Sequence, residues 1–233
     1  MRQQLNLAHT QFPQQQEGLM ICGYEWGYSK TDQENDEAGN VQPIELNSGC
    51  TFSNKGLCYG PRAYSWPYDQ NIIKWFGFWG HALNRDNPGD FEKSIAQTNW
   101  CNTEGHSMGG DYTKLLIPVH VDNFIFHVDH FRPSVILLMG SKLIEKMQDG
   151  KVLGRFKQIM GNCTKDPFAV QKPFNGRRFK VWFQSFERCE VACLPHPSGS
   201  HGLNDDYIAL FRDEVGGLLS RYKRNKFELS SAS

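Results

Sequence analysis

The sequence carries no excess of charge of either sign: 25 lysines and arginines stand against 25 aspartates and glutamates in 233 residues. A chain without net charge sets up no global field for a polyanion, so any nucleic-acid surface has to be a local patch. Arg177-Arg178 and the group Arg221, Lys223, Arg224 and Lys226 are the candidates, although basic residues near a helix C-terminus also serve its dipole. No apolar run approaches the roughly 20 residues of a membrane span, and the first 17 residues are glutamine-rich where a leader would be apolar. A cytoplasmic protein without a membrane partner is expected. The seven cysteines (22, 50, 58, 101, 163, 189 and 193) form no CxxC and no ladder of pairs, which fits reduced thiols. Neither a GxSxG elbow nor a P-loop occurs, so nothing points to a serine triad or a nucleotide phosphate cradle. His127, Asp129 and His130 imitate a metal cluster, but 127 and 130 share a helix face with an apolar stripe and lack a fourth ligand, so no metal is expected.

What is present is a set of short apolar runs alternating with helical patterns. Leu19-Met20-Ile21-Cys22, Ser94 to Asn99, Val135 to Met139, Phe179 to Gln184 and Glu190 to Leu194 read as strands. Between them, Asp69 caps a helix with Ile72, Ile73, Phe76 and Trp79 at helical spacing. Pro118 opens another, with a stripe of Val121, Phe124, Ile125, Val128 and Phe131. Ser141 to about Gln148 is a third, and Asp205 to about Lys223 the last, capped by Asn204 or Asp205. The fold class is α/β, with a parallel-stranded central sheet flanked by helices. Residues 1–17 are expected to be loosely attached, 18–226 to form one domain, and 227–233 to fray.

The chain is organised around the run from Val191 to Asn204. A strand stops at Pro195, His196 stands between two prolines that stiffen the backbone, and small residues lead to a capped helix. In parallel sheets functional groups collect beyond the carboxyl ends of the strands. Glu25, Asn99 and His196 each follow a strand, so the topology predicts that they meet at one sheet edge. A carboxylate can direct water, an amide can pair with a base edge, and a neutral imidazole can donate to a departing anion.

These residues resemble the uracil-DNA glycosylase superfamily. Gly23-Tyr24-Glu25-Trp26-Gly27 is similar to its first motif, Thr98-Asn99 to the TN of the iron–sulfur branch, and His196-Pro197-Ser198 to its HPS motif. Gly56 to Ala63, with Tyr59 and then Arg62-Ala63, resembles that branch's glycine-rich segment. The likeness spans roughly residues 18–222. It implies a three-layer sandwich and a monofunctional DNA glycosylase, a hydrolase of N-glycosyl bonds that flips out one nucleotide and leaves an abasic site. It further implies Glu25 and His196 as catalytic residues, and Tyr59, Asn99, Trp26 and Gly27 around the base. Ser198, Gly199 and Ser200 would contact DNA, with Leu203 as a wedge. Tyr59 as a core residue and Leu203 as a buried helix-start residue are the bland alternatives. No cofactor is implied; DNA is the partner and a monomer the expected state. Gly27 stands where the uracil-specific branch has a blocking tyrosine, and Trp26 replaces the usual proline. Room at Gly27 extends the substrate from uracil to 5-modified pyrimidines, including the glucosylated hydroxymethylcytosine removed by antiphage members. A non-catalytic module for modified bases and a nucleotide N-glycosidase are the rival expectations.

Overall fold

A computed structural model describes residues 5–27, 34, 37–39, 49–105, 108–174, 176, 179–198, 200 and 202–229. Six strands form one sheet in the order β3-β1-β5-β8-β7-β6. They are β1 (Leu19–Gly23), β3 (Ile95–Asn99), β5 (Val135–Met139), β6 (Cys163–Val170), β7 (Val181–Phe186) and β8 (Glu190–Leu194). The pairs β1–β3, β1–β5 and β5–β8 are parallel, while β7 pairs antiparallel with both β8 and β6. The sheet is therefore mostly parallel rather than wholly so. The chain between β7 and β8 is too short for a crossover helix and turns back as a hairpin. The edge strand β6, largely exposed, was not signalled by the sequence because its polar residues give no apolar run.

The central strands are buried along their whole length, and successive side chains alternate between two faces. Leu19, Ile21, Leu137, Met139, Ala192 and Leu194 pack on one side, against Ile72, Trp75 and Phe76 of α1 (Pro67–Phe78). That layer also holds Tyr207 and Ile208 of α5 (Asp205–Ala209) and Leu218, Leu219 and Tyr222 of α6 (Gly217–Lys223). Met20, Cys22, Ile136, Leu138, Val191 and Cys193 face the other side. There they meet α2 (Pro118–Phe131), α3 (Ser141–Met147) and α4 (Gly150–Met160). Three layers result, helices over sheet over helices. Continuous apolar strands need that cover on both faces.

Four local expectations are corrected. Residues 8–15 are not loose: His9 is buried and its Nε2 accepts from the Gln97 N–H at 3.1 Å, and Gln15 donates to the Ile95 carbonyl at 3.3 Å. Asp69 does not cap α1. Pro67 starts the helix, and Asp69 is buried inside its first turn with other partners. The last helix is broken, with a π turn at Arg212–Gly216 between α5 and α6. That turn brings Gly216 against the Trp79 carbonyl, where a Cβ would clash. Finally, the chain stays coiled past residue 226, through Arg224–Leu229, with Phe227 edge-on to Tyr222. Residues 230–233, like Arg177 and Arg178, lie outside the described residues.

All seven cysteines are free thiols. Among the described residues, no helix is long and apolar enough to cross a membrane, and no three His, Cys, Asp or Glu are grouped to hold a metal ion. His127 is instead committed as a core histidine, its Nε2 accepting from the Asn6 N–H at 3.0 Å and its Nδ1 bonded to the Asn123 carbonyl at 2.7 Å.

Candidate active site

The register of the parallel strands sets their carboxyl ends level: Gly23 pairs with Asn99, Cys22 with Leu138, and Met139 with Leu194. Beyond this line β1 and β3 continue into a two-residue parallel ladder, β2 (Trp26–Gly27) with β4 (Glu104–Gly105). Tyr24 and Glu25 thus leave the sheet beside Trp100 and Cys101, whose N–H groups donate to Gly23 and Tyr24 carbonyls at 2.9 and 2.8 Å.

His196 reaches the same edge from β8. Its ring stacks parallel on Tyr24, centroids 5.7 Å apart and planes 8° apart, and leans on Tyr68 at 5.3 Å. The prolines hold the spur, and Asn71 anchors it further by donating from Nδ2 to the Pro197 carbonyl at 2.8 Å. The Ser198 N–H points at Nδ1 from 3.4 Å, which makes Nδ1 the acceptor and leaves the proton on Nε2. Burial lowers the His196 pKa to about 4, so the ring is neutral at physiological pH. Among the described residues nothing engages Nε2, and a neutral imidazole protonated there is a single hydrogen-bond donor.

Asn99 is held by its backbone and left open at its side chain. Asn123 Nδ2 donates to the Asn99 and Trp100 carbonyls at 2.9 and 3.0 Å. Among the described residues, no hydrogen bond engages the Asn99 amide. Its Oδ1 lies over Gly23, and the Tyr68 hydroxyl stands 2.7 Å from the point a Gly23 Cβ would occupy. A side chain at 23 would strike both groups, which accounts for glycine there. Gly140, at φ 152°, is needed for the same kind of reason: a Cβ would run into the Tyr24 ring. The Tyr24 hydroxyl accepts from the Lys142 N–H at 3.0 Å, fixing the ring on which His196 rests.

Glu25 shares this edge, but its carboxylate turns toward β4. Oε2 accepts from Thr103 Oγ1 at 3.0 Å and is ion-paired with Lys114, with the Glu25 side chain only 6 % exposed. Oε1 lies above Gly105 and has no hydrogen-bond partner among the described residues. One oxygen is therefore pinned and the other open to a water.

The remaining candidates fall further out. Tyr59 packs on Trp66, centroids 5.1 Å apart, and not on His196 or Asn99; the rings that flank His196 are Tyr24 and Tyr68. Trp26 is half-buried and Gly27 exposed; among the described residues the Trp26 Nε1 has no hydrogen-bond partner and nothing lies within 4 Å of a Cβ added at Gly27. Ser198 is exposed, and the Ser200 carbonyl accepts from the Leu203 N–H at 3.1 Å. Gly199 lies outside the described residues. Leu203 is half-buried against the core, where it lines a cavity of about 220 Å³ with Trp75 and Pro197. Asn204, not Asp205, caps α5, accepting from the Tyr207 N–H at 2.9 Å. Sequence reasoning missed Tyr68 and Lys114. A tyrosine directly after the helix-starting Pro67 was a usable signal for the first; a lysine 89 residues from its carboxylate left none for the second.

The buried histidines make a pH prediction. His9 and His196 are both lowered to about 4, and burial also lowers His120 and His127. The unfolded chain takes up these protons near pH 6.5, while in the folded chain His9 and His196 cannot until about pH 4, and His120 and His127 only below the ordinary value. Stability is therefore complete above pH 6.5 and falls as pH drops toward 4, by up to about 1.4 kcal/mol per pH unit for each of His9 and His196. Urea unfolding at pH 7.5 and 5.0 checks this. An unchanged midpoint would mean these rings are solvated.

No protein-family model matches the chain, and no curated protein matches it either.

Proposed function

We propose that the protein is a monofunctional DNA glycosylase that hydrolyses the N-glycosidic bond of uracil or a 5-modified pyrimidine. The observation that carries this reading is the neutral His196, held between two tyrosines at the same strand ends as Asn99, with Nε2 of the one and the amide of the other unbonded among the described residues. An amide can pair with the edge of a flipped base. A neutral Nε2–H suits a base that leaves with its glycosidic electron pair and gathers charge on its O2. Oε1 of Glu25 would take a proton from water as that oxygen bonds to C1′. The open space at Gly27 supports a substituent at the base's C5.

A duplex carrying one uracil or one 5-hydroxymethylpyrimidine, treated with alkali after incubation, tests the reading. Strand scission should occur only at the modified site, only after alkali, and be lost in Glu25→Gln. Scission without alkali would contradict a monofunctional enzyme. One observation favours a second reading, a modified-base-binding module without catalysis: Lys114 and Thr103 hold Oε2 of Glu25 on the side of β4. Tight, selective binding with every base retained would select that reading.

A further inference from the structure

We propose that Lys114 is a positioning residue: it holds the Glu25 carboxylate by one oxygen, so that the other keeps a fixed place over Gly105 and directs the attacking water from there. The inference rests on the glycosylase reading above and adds two residues, Lys114 and Gly105, to which no motif pointed.

A glutamate carries its carboxylate on a flexible arm, and the backbone ladder of β2 with β4 fixes only where that arm starts. Oε2 is ion-paired with Lys114 and accepts from Thr103 Oγ1 at 3.0 Å. Two donors from different segments set both the place of the carboxylate and its turn. Lys114 can impose this because its own backbone is braced. It lies in a 3-10 turn, Tyr112–Leu116, capped by Asp111, whose Oδ1 accepts from the Thr113 N–H at 3.0 Å. The Leu115 carbonyl accepts from Trp100 Nε1 at 2.8 Å, and both residues are buried. Tyr112 leans on Tyr24, centroids 5.3 Å apart, and Tyr24 carries the His196 ring. One turn therefore braces the carboxylate and the imidazole together.

Gly105 supplies the space. A Cβ at 105 would lie 2.7 Å from Oε1 and 3.2 Å from Cδ of Glu25. The φ of Gly105 lies outside the left-handed region, so the position requires the missing side chain and not a freer backbone. A glutamate with a free head would swing aside for a methyl group. A pinned one cannot do so without giving up Lys114 or Thr103. The hold at Oε2 and the gap at Gly105 therefore act on the rate through each other.

Single-turnover base release and equilibrium binding are measured on duplexes carrying one uracil or one 5-hydroxymethylpyrimidine. The proteins are the wild type, Lys114→Met, Lys114→Arg, Gly105→Ala and the double variant Lys114→Met with Gly105→Ala. Lys114→Met and Gly105→Ala should each slow release by roughly 10- to 100-fold, the scale for displacing a reacting group by about an ångström. Affinity should stay level, which also shows that the variants fold. Lys114→Arg keeps the cation and should recover most of the rate. A released carboxylate yields to a methyl group, so the double variant should be no slower than Lys114→Met alone, whereas independent structural losses would multiply. Losses that multiply, or a wild-type rate in Lys114→Met, overturn the positioning role and leave the glycosylase reading standing. A loss confined to affinity, with a salt slope lower by about one, makes Lys114 a phosphate contact and likewise overturns it. A wild-type protein that releases no base from any of these duplexes overturns the catalysis and this inference together.

Discussion

His196→Ala is expected to slow base release by roughly 10²- to 10³-fold, the usual cost of deleting one preorganised donor to a developing anion. The reasoning starts from protonation. Burial lowers the ring's pKa to about 4, so an imidazolium is not available to act as a general acid near neutrality. What remains is one hydrogen bond from Nε2, aimed by the Ser198 N–H on Nδ1 and by the stack on Tyr24. In the proposed glycosylase this bond would strengthen as charge moves onto the base, and so would lower the barrier rather than tighten ground-state binding. Affinity for substrate DNA should therefore change far less than the rate. His196→Asn keeps an N–H donor on a shorter arm and should recover part of the loss. The rate should also show no histidine-type step between pH 5 and 8. Single-turnover kinetics with each variant check these outcomes, and wild-type rates in His196→Ala would remove the role.

Asp69→Ala should destabilise the fold by about 3–5 kcal/mol, because it strands a buried cation. Asp69 accepts from Lys55 Nζ at 2.6 Å and from Gln97 Nε2 at 2.9 Å, and the Lys55 and Asp69 side chains are only 4 % and 6 % exposed. The pair ties the first turn of α1 to β3 and to the turn preceding Tyr59. It fixes the helix from which Tyr68 approaches Asn99. Lys55 is too buried to turn to solvent, and besides Asp69 it meets the faces of Phe52 and Trp66 at 5.4 and 5.6 Å. The pair itself adds little net stability, since desolvation offsets its attraction. The combined change Lys55→Met with Asp69→Leu should therefore recover most of the loss. Urea unfolding of the single and combined variants measures both effects; a single-variant loss below about 1 kcal/mol would show that water reaches Lys55.

The central strands were legible because burial on both faces leaves an uninterrupted apolar run, as in Val135 to Met139. The positions of Glu25, Asn99 and His196 at one edge followed from parallel topology alone. The direction of the Glu25 carboxylate did not. It depends on Lys114 and Thr103, which no periodicity links to residue 25. The antiparallel margin escaped for a different reason: β6 is an exposed edge, and its charged residues satisfy solvent rather than a pattern. Tyr59 illustrates the limit of motif reasoning. The resemblance of Gly56 to Ala63 to a glycine-rich family segment implied a platform for a base, whereas its ring rests on Trp66 and the rings beside His196 come from Tyr24 and Tyr68. The N-terminal glutamines looked like loose composition, yet Gln15 is buried against β3 because it has a backbone carbonyl to satisfy there.

Nitrogen NMR of ¹⁵N-histidine-labelled protein, with His196 assigned by its absence in His196→Ala, reads the protonation state on which the mechanism turns. The ring should be neutral from pH 8 down to about 5, protonated at Nε2 and bare at Nδ1, and should titrate near pH 4. A ring that titrates near 6.5, or carries its proton on Nδ1, would leave no fixed donor for a departing base.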